Sequence, residues 1–225
     1  MVWVSNGHMQ RLPLVVAAGL VACAVFVLPA YSQPATNATE SAEASYTRTI
    51  TKRSADVVAA LALTDTAKSN RVQEILVAQY RTLNAWHAQH DAEFKALNKS
   101  TSSDDKETAA KAKAQIADVQ ATLKPIHDAF LAKLAAELTS EQVETVKDKM
   151  TYGKVQFTYT GFLKAVPDMT DEEKAHVLAL LKEARELAMD GGSAEEKTAI
   201  FGKYKGKINN YLAAQGHKKK TLAAP

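Results

Sequence analysis

His87, His90 and Asp91 stand three and four residues apart, a spacing that puts all three side chains on one face of a helix. Two imidazoles and a carboxylate so placed are candidate metal ligands. A further ligand is harder to supply. In a helical hairpin turning near Ser102, His90 lies opposite about residue 114, which leaves His127 ~20 Å further along. The simpler reading is that His87 and His90 pack or hydrogen-bond along a helix stripe, so neither a metal nor another cofactor is expected.

A second group lies near the end of the chain. Gly202 and Gly206 fall inside a helical pattern, where each costs about 1 kcal/mol relative to alanine. Glycines four apart leave room for another backbone or for a ligand. Around them are Tyr204, Lys205, Asn209, Asn210 and Tyr211, with Tyr152 and Trp86 as further aromatic candidates. An apolar ring plane with amide and ammonium donors at its rim is what a sugar ring needs. The competing reading makes Ile200, Tyr204, Ile208 and Tyr211 an ordinary buried stripe, with the Asn and Lys side chains outside.

Covalent catalysis has little to work with. Cys23 is the one cysteine, and the sequence has neither a Gly-x-Ser-x-Gly turn nor a phosphate-binding glycine loop. Carboxylates such as Asp128, Glu137, Glu141 and Glu144 are plentiful, but a glycosidase requires two of them at a set separation. An enzyme is therefore not expected.

The elements that must position these residues are helical. Leu138-Thr139-Ser140-Glu141-Gln142 reads as a helix start, with Thr139 and Gln142 as a capping box and Leu138 stapled to Val143. Before it, a first helix is expected over Tyr46–Ala62. A second, capped by Thr64, runs to about Asn98 with Val72, Leu76, Leu83, Trp86/His87, Phe94 and Leu97 as its stripe. A third carries Ile116, Val119, Leu123, Ile126, Phe130, Leu134 and Leu138 inward. Pro125 removes a backbone donor inside that third pattern, so a kink is expected near Ala121–Lys124. The short connection makes helices two and three an antiparallel hairpin. Tyr152 to Gly161 is rich in aromatic and β-branched residues and reads as an irregular crossing loop, with at most a short helix at Phe162–Ala165. Capping boxes at Thr170/Glu173 and Ser193/Glu196 start a final helical pair, the first member facing Val177, Leu178, Leu181, Ala184 and Leu187 inward. Gly191-Gly192 ends that member and Gly216 closes the second. The expected fold is thus all-α: a long antiparallel helical hairpin kinked at Pro125, then a shorter C-terminal helical pair reached through an irregular crossing loop.

Residues 1–32 read as an export signal. Arg11 precedes an apolar run from Leu12 to Ala30, and Ala30-Tyr31-Ser32 offers small residues at the two positions a signal peptidase reads. Cleavage after Ser32 is expected. Leu20-Val21-Ala22-Cys23 also fits a lipobox, which would leave a lipid anchor on Cys23, and a run of ~20 residues is nearly long enough to remain in the membrane. Residues 33–45 are small and polar and read as a flexible linker, residues 46–216 as one helical domain, and residues 217–225, with Lys218–Lys220, as a basic tail. Without disulfides the mature chain must be held by its core. A formal net charge of +3 gives no drive towards nucleic acid, so that partner is not expected, nor is a membrane once the signal is removed. Oligomeric state is left open.

The segment Leu138-Thr139-Ser140-Glu141-Gln142 matches the LTxxQ signature of Spy/CpxP-like periplasmic proteins, all-helical chaperones and stress adaptors. A closer resemblance is carried by His127 to Leu134, Leu138 to Gly153, and Gly192 to Leu212. It is to a family of secreted bacterial proteins of unknown function for which sugar binding has been suggested. That resemblance implies export to the periplasm or beyond and non-catalytic contact with carbohydrate or cell-envelope glycan. The Spy/CpxP resemblance implies instead a helical chaperone whose partners are unfolded protein clients. A hydrolase of envelope polysaccharide is the third reading.

Overall fold

The computed structural model describes residues 41–217, and these are helical from end to end, with no strand among them. The expected export signal, Cys23, most of the linker and Lys218–Lys220 lie outside the described residues. Helix α1 (Ala42–Ala60) starts four residues before the expected boundary. Ser41 accepts a hydrogen bond from the Ala44 N–H, so the C-terminal end of the expected linker is ordered helix. Helix α2 (Thr66–Ser100) is capped by Asp65 rather than Thr64; the Asp65 carboxylate accepts from the Lys68 N–H at 3.1 Å.

Helix α3 (Lys106–Ala121) and helix α4 (Leu123–Glu137) follow one line of sequence interrupted at Thr122. That is where Pro125, three residues on, crowds the preceding turn and leaves the ladder without its N–H. Trp86 Nε1 donates to Thr122 Oγ1 at 2.9 Å, which fixes the register of α2 against the interrupted pair. Helix α5 (Ser140–Met150) begins with the expected capping box, both hydrogen bonds present. The LTxxQ residues are thereby accounted for as a helix start.

The expected crossing loop is instead helix. After a tight turn in which Tyr152 (φ 59°) and Gly153 (φ 63°) both take the left-handed conformation, helix α6 runs Lys154–Ala165 and buries Val155, Thr158 and Phe162. The β-type composition of this segment yields to a spacing of three and four that seats those side chains in the core. The C-terminal unit is accordingly three helices rather than a pair: α6, α7 (Asp171–Met189) and α8 (Ala194–Ala214). Thr170 and Glu173 complete the second capping box. At the third, Ser193 accepts from the Glu196 N–H, but Glu196 reaches one residue further back, to the Gly192 N–H at 2.8 Å. Leu187, expected inward, is half exposed.

Two apolar clusters result. One joins Val57, Leu61, Val72, Leu76, Phe130, Leu134, Leu138, Val146 and Met150, and receives Met189 from the end of α7. The other is built from α6, α7 and α8 around Phe162, Leu181, Phe201 and Ile208. At its far end His217 approaches both carboxylate oxygens of Glu173 at 3.1 Å. Along α2 and α3 beyond His87, Phe94, Leu97, Ile116 and Val119 are only half-buried, so this stretch of the hairpin forms a thinner arm.

Candidate functional site

The helix ends meet at a cleft of about 800 Å³. Its walls are α1 (Tyr46, Arg53, Asp56), α2 (Tyr80, Asn84, His87, Asp91), the α5–α6 turn (Tyr152) and the α7–α8 turn (Gly191 to Lys197).

Lys197 forms the floor. It is buried, and its ammonium donates to the carbonyls of Met150 and Met189, both at 3.3 Å. Those residues end α5 and α7, so one cation faces the negative ends of two helices and takes up two carbonyls that lack an intrahelical partner. Burial nevertheless pulls its pKa down to about 8, against the opposing pull of Asp190.

His87 forms the inner wall. Its Nε2–H donates to the Asp190 carbonyl at 2.8 Å, and its Nδ1 lies 3.1 Å from the Asp91 carboxylate. The ring fits because Gly192 has no side chain: a Cβ there would come within 2.8 Å of His87 Cγ. The same turn packs on Lys197, whose Cγ would lie 3.1 Å from a Cβ on Gly191. Close approach thus requires glycine at 192, while at 191 an added Cβ would make a tight contact with Lys197.

Behind the cleft an ion network ties α4, α5 and α7 together. The buried Arg185 guanidinium donates to Asp148 at 2.7 Å, to Glu144 at 2.6 Å and to Glu186 at 3.2 Å. Lys147 and His127 also approach Glu186. His127 Nδ1 lies 2.9 Å from Asp190 Oδ2; that hydrogen bond, with the one to Glu186, raises the imidazole to about 9. Burial by itself would raise Glu186, but its hydrogen bonds with His127 and Lys147 carry it down to about 2. Asp190 therefore faces both histidines, holding His87 by its carbonyl and His127 by its carboxylate. The expected separation concerned His90 and His127; it is His87 that the α7–α8 turn links to His127, through Asp190.

The candidates named from sequence are dispersed. His87 and Asp91 belong to the cleft, while His90 packs its ring on Trp86 with centroids 4.8 Å apart. Both His87 nitrogens face protein acceptors, and among the described residues no group of three or more His, Cys, Asp or Glu is placed to hold a metal ion. Tyr152 stands at the cleft mouth, half exposed. Trp86 is buried beside His87. The last helix offers no common platform. Tyr204 is buried with its hydroxyl on Glu183 and Lys207 over its ring, and Tyr211 stacks on His176. Lys205 and Asn209 are half-buried, Asn210 is exposed, and none of these five lines the cleft. A Cβ on Gly202 or Gly206 would meet nothing within 4 Å.

Sequence reasoning missed Tyr46, Arg53, Asp56, Tyr80, Asn84 and Lys197, which come from segments far apart in the chain. One signal was present. Lys197 continues the stripe Phe201, Tyr204, Ile208 and Leu212 backwards by four, and a lysine at a core position marks a buried cation. No curated protein matches the chain. A family model matches residues 47–224, which take in every named wall residue of the cleft except Tyr46, and by that match the chain belongs to a family of proteins of unknown function, DUF3826.

Proposed function

We propose that this is an exported, non-catalytic carbohydrate-binding protein whose site is the cleft between α1, α2 and the two helix turns. The observation that carries the reading is the half-exposed ring of Tyr152, held by a left-handed backbone at the mouth of a cleft with hydrogen-bonding side chains on its walls. An aromatic plane beside amide, guanidinium and carboxylate groups suits a hydroxyl-rich ring. Asn84 has no hydrogen-bond partner among the described residues, so its amide is free to serve a ligand. The Lys197 amine is engaged with two helix-end carbonyls, which favours recognition over chemistry.

A glycan array probed with residues 33–225, followed by calorimetric titration of the hits, tests this reading. Saturable binding that weakens at least tenfold in both Tyr152→Ala and Asn84→Ala, with unchanged helical circular dichroism, is the expected result. A folded, monodisperse sample that binds no glycan would overturn it.

A further inference from the structure

The charged groups of the cleft are unequally matched. Asp56 is paired with Lys52 at 2.7 Å, Asp91 lies beside His87, Glu196 accepts from the Gly192 N–H, and Glu195 is held below the usual carboxylate range by its own backbone N–H and Ser193 at the start of α8. The Arg53 guanidinium and the Lys149 ammonium, by contrast, have no hydrogen bond or ion pair among the described residues, and of the two Arg53 carries the planar fork of donors. Arg53 is exposed on α1, two turns after Tyr46 and one before Asp56 at the cleft wall.

Three phenols line the same cleft. The Tyr46 hydroxyl donates to the Tyr80 carbonyl at 2.9 Å. The hydroxyls of Tyr80 and Tyr152 have no partner among the described residues. Burial pushes Tyr80 up to about 12, so it is a phenol and a donor at neutral pH, and Arg53 is near enough to oppose part of that shift. Arg53 also opposes the shift of Tyr46 and adds to the lowering of Lys197. One guanidinium and two free phenol hydroxyls therefore open on the same space. A planar fork of N–H donors beside O–H donors matches the oxygens of a carboxylate or sulfate, which a neutral hydroxyl does not satisfy as well.

We propose that the cleft selects an acidic sugar, with Arg53, Tyr80 and Tyr152 holding an oxyanion substituent, the carboxylate of a uronate or a sulfate ester. This rests on the carbohydrate reading and adds the charge of the ligand to it. Full recognition would then need both ends of the site, with Asn84 serving ring hydroxyls and Arg53 the charge.

The test titrates the protein with three oligosaccharides of one length: a uronate, the same sugar with its carboxyls reduced to alcohols, and a neutral sugar carrying sulfate esters. The expected result is at least tenfold tighter binding of a charged sugar than of the reduced one, with the difference lost in Arg53→Gln. Preference for the uronate or for the sulfate names the substituent. Equal affinity for charged and reduced sugars would overturn the acidic-sugar assignment and leave carbohydrate binding standing. Binding of none of the three would overturn both. Since Arg53 is exposed, Arg53→Gln should keep its circular dichroism and melting temperature. A variant that retains the full charge preference would remove Arg53 from the site.

Discussion

His87 and Gly192 are fitted to each other so closely that a single added methyl group would displace the ring: a Cβ on Gly192 would stand 2.8 Å from His87 Cγ and 3.0 Å from its Nδ1. That contact sets the inner wall of the cleft, because the ring also holds the Asp190 carbonyl in place.

Gly192→Ala should therefore destabilise the protein by about 1–3 kcal/mol, the range for overpacking a well-packed site. Gly202→Ala should do the reverse. It has open space around it on an exposed stretch of α8, so the gain in helix propensity, about 1 kcal/mol, meets no opposing clash. Thermal unfolding followed by circular dichroism checks both. A Gly192→Ala protein as stable as the wild type would remove the close-contact account.

Lys197 gives a stability effect with a definite sign. Its folded-state pKa of about 8 lies below its ordinary value of 10.5. Between those two values the unfolded chain holds a proton that the folded chain has released, so stability rises with pH. In Lys197→Met that rise should be missing. Chemical denaturation at pH 7.5 and 10 should show wild type gaining on the variant, and a constant difference would refute the assignment.

The ion network behind the cleft titrates in two other windows. His127 is raised from 6.5 to about 9. Its contribution is complete below pH 6.5 and is lost as pH climbs through 9. Glu186 is lowered from 4.5 to about 2, so its contribution is complete above pH 4.5 and disappears as pH falls towards 2. His127→Gln should cost most at pH 6 and least at pH 10. Glu186→Gln should cost most near neutrality and little at pH 2. Denaturant midpoints across pH measure both.

Arg185→Met removes the buried donor shared by Glu144, Asp148 and Glu186. Truncating a fully buried pair costs about 3–5 kcal/mol. Glu144 and Asp148 each keep 45% of their side-chain surface exposed, so a loss of about 2 kcal/mol is expected here. Arg185→Lys should recover only part of it, since an ammonium lacks the planar fork that reaches two carboxylates. Urea unfolding gives the comparison directly.

What could be read from the sequence was local. The capping boxes at Thr139 and Thr170 each involve residues three apart, and both form as expected. The interruption at Thr122 follows from one proline. Helix α6 was misread because Phe157, Tyr159 and two threonines favour strand when taken singly. The period that decided the matter, Val155, Thr158 and Phe162, becomes visible only when α7 and α8 supply a core. The cleft was harder still. Arg53, Asn84, Tyr152 and Lys197 come from four separate segments, and their meeting depends on how the α7–α8 turn folds back against α2. The aromatic and amide residues of the last helix suggested a site by composition, but helical phase turns Tyr204 into the core and leaves Asn210 outside it.

The bond between His217 and Glu173 changes how the last two helices come apart. Glu173 already holds the first turn of α7 through the Thr170 N–H at 2.7 Å, so the end of α8 is tied to the start of the helix it runs beside. With the Gly191-Gly192 turn at the other end, the hairpin is a closed ring in the mechanical sense. A terminal helix ordinarily unravels from its tip. Here the tip must be unlatched first, and hydrogen exchange at the final turn of α8 should rise together with exchange at the first turn of α7 when His217→Ala opens the ring.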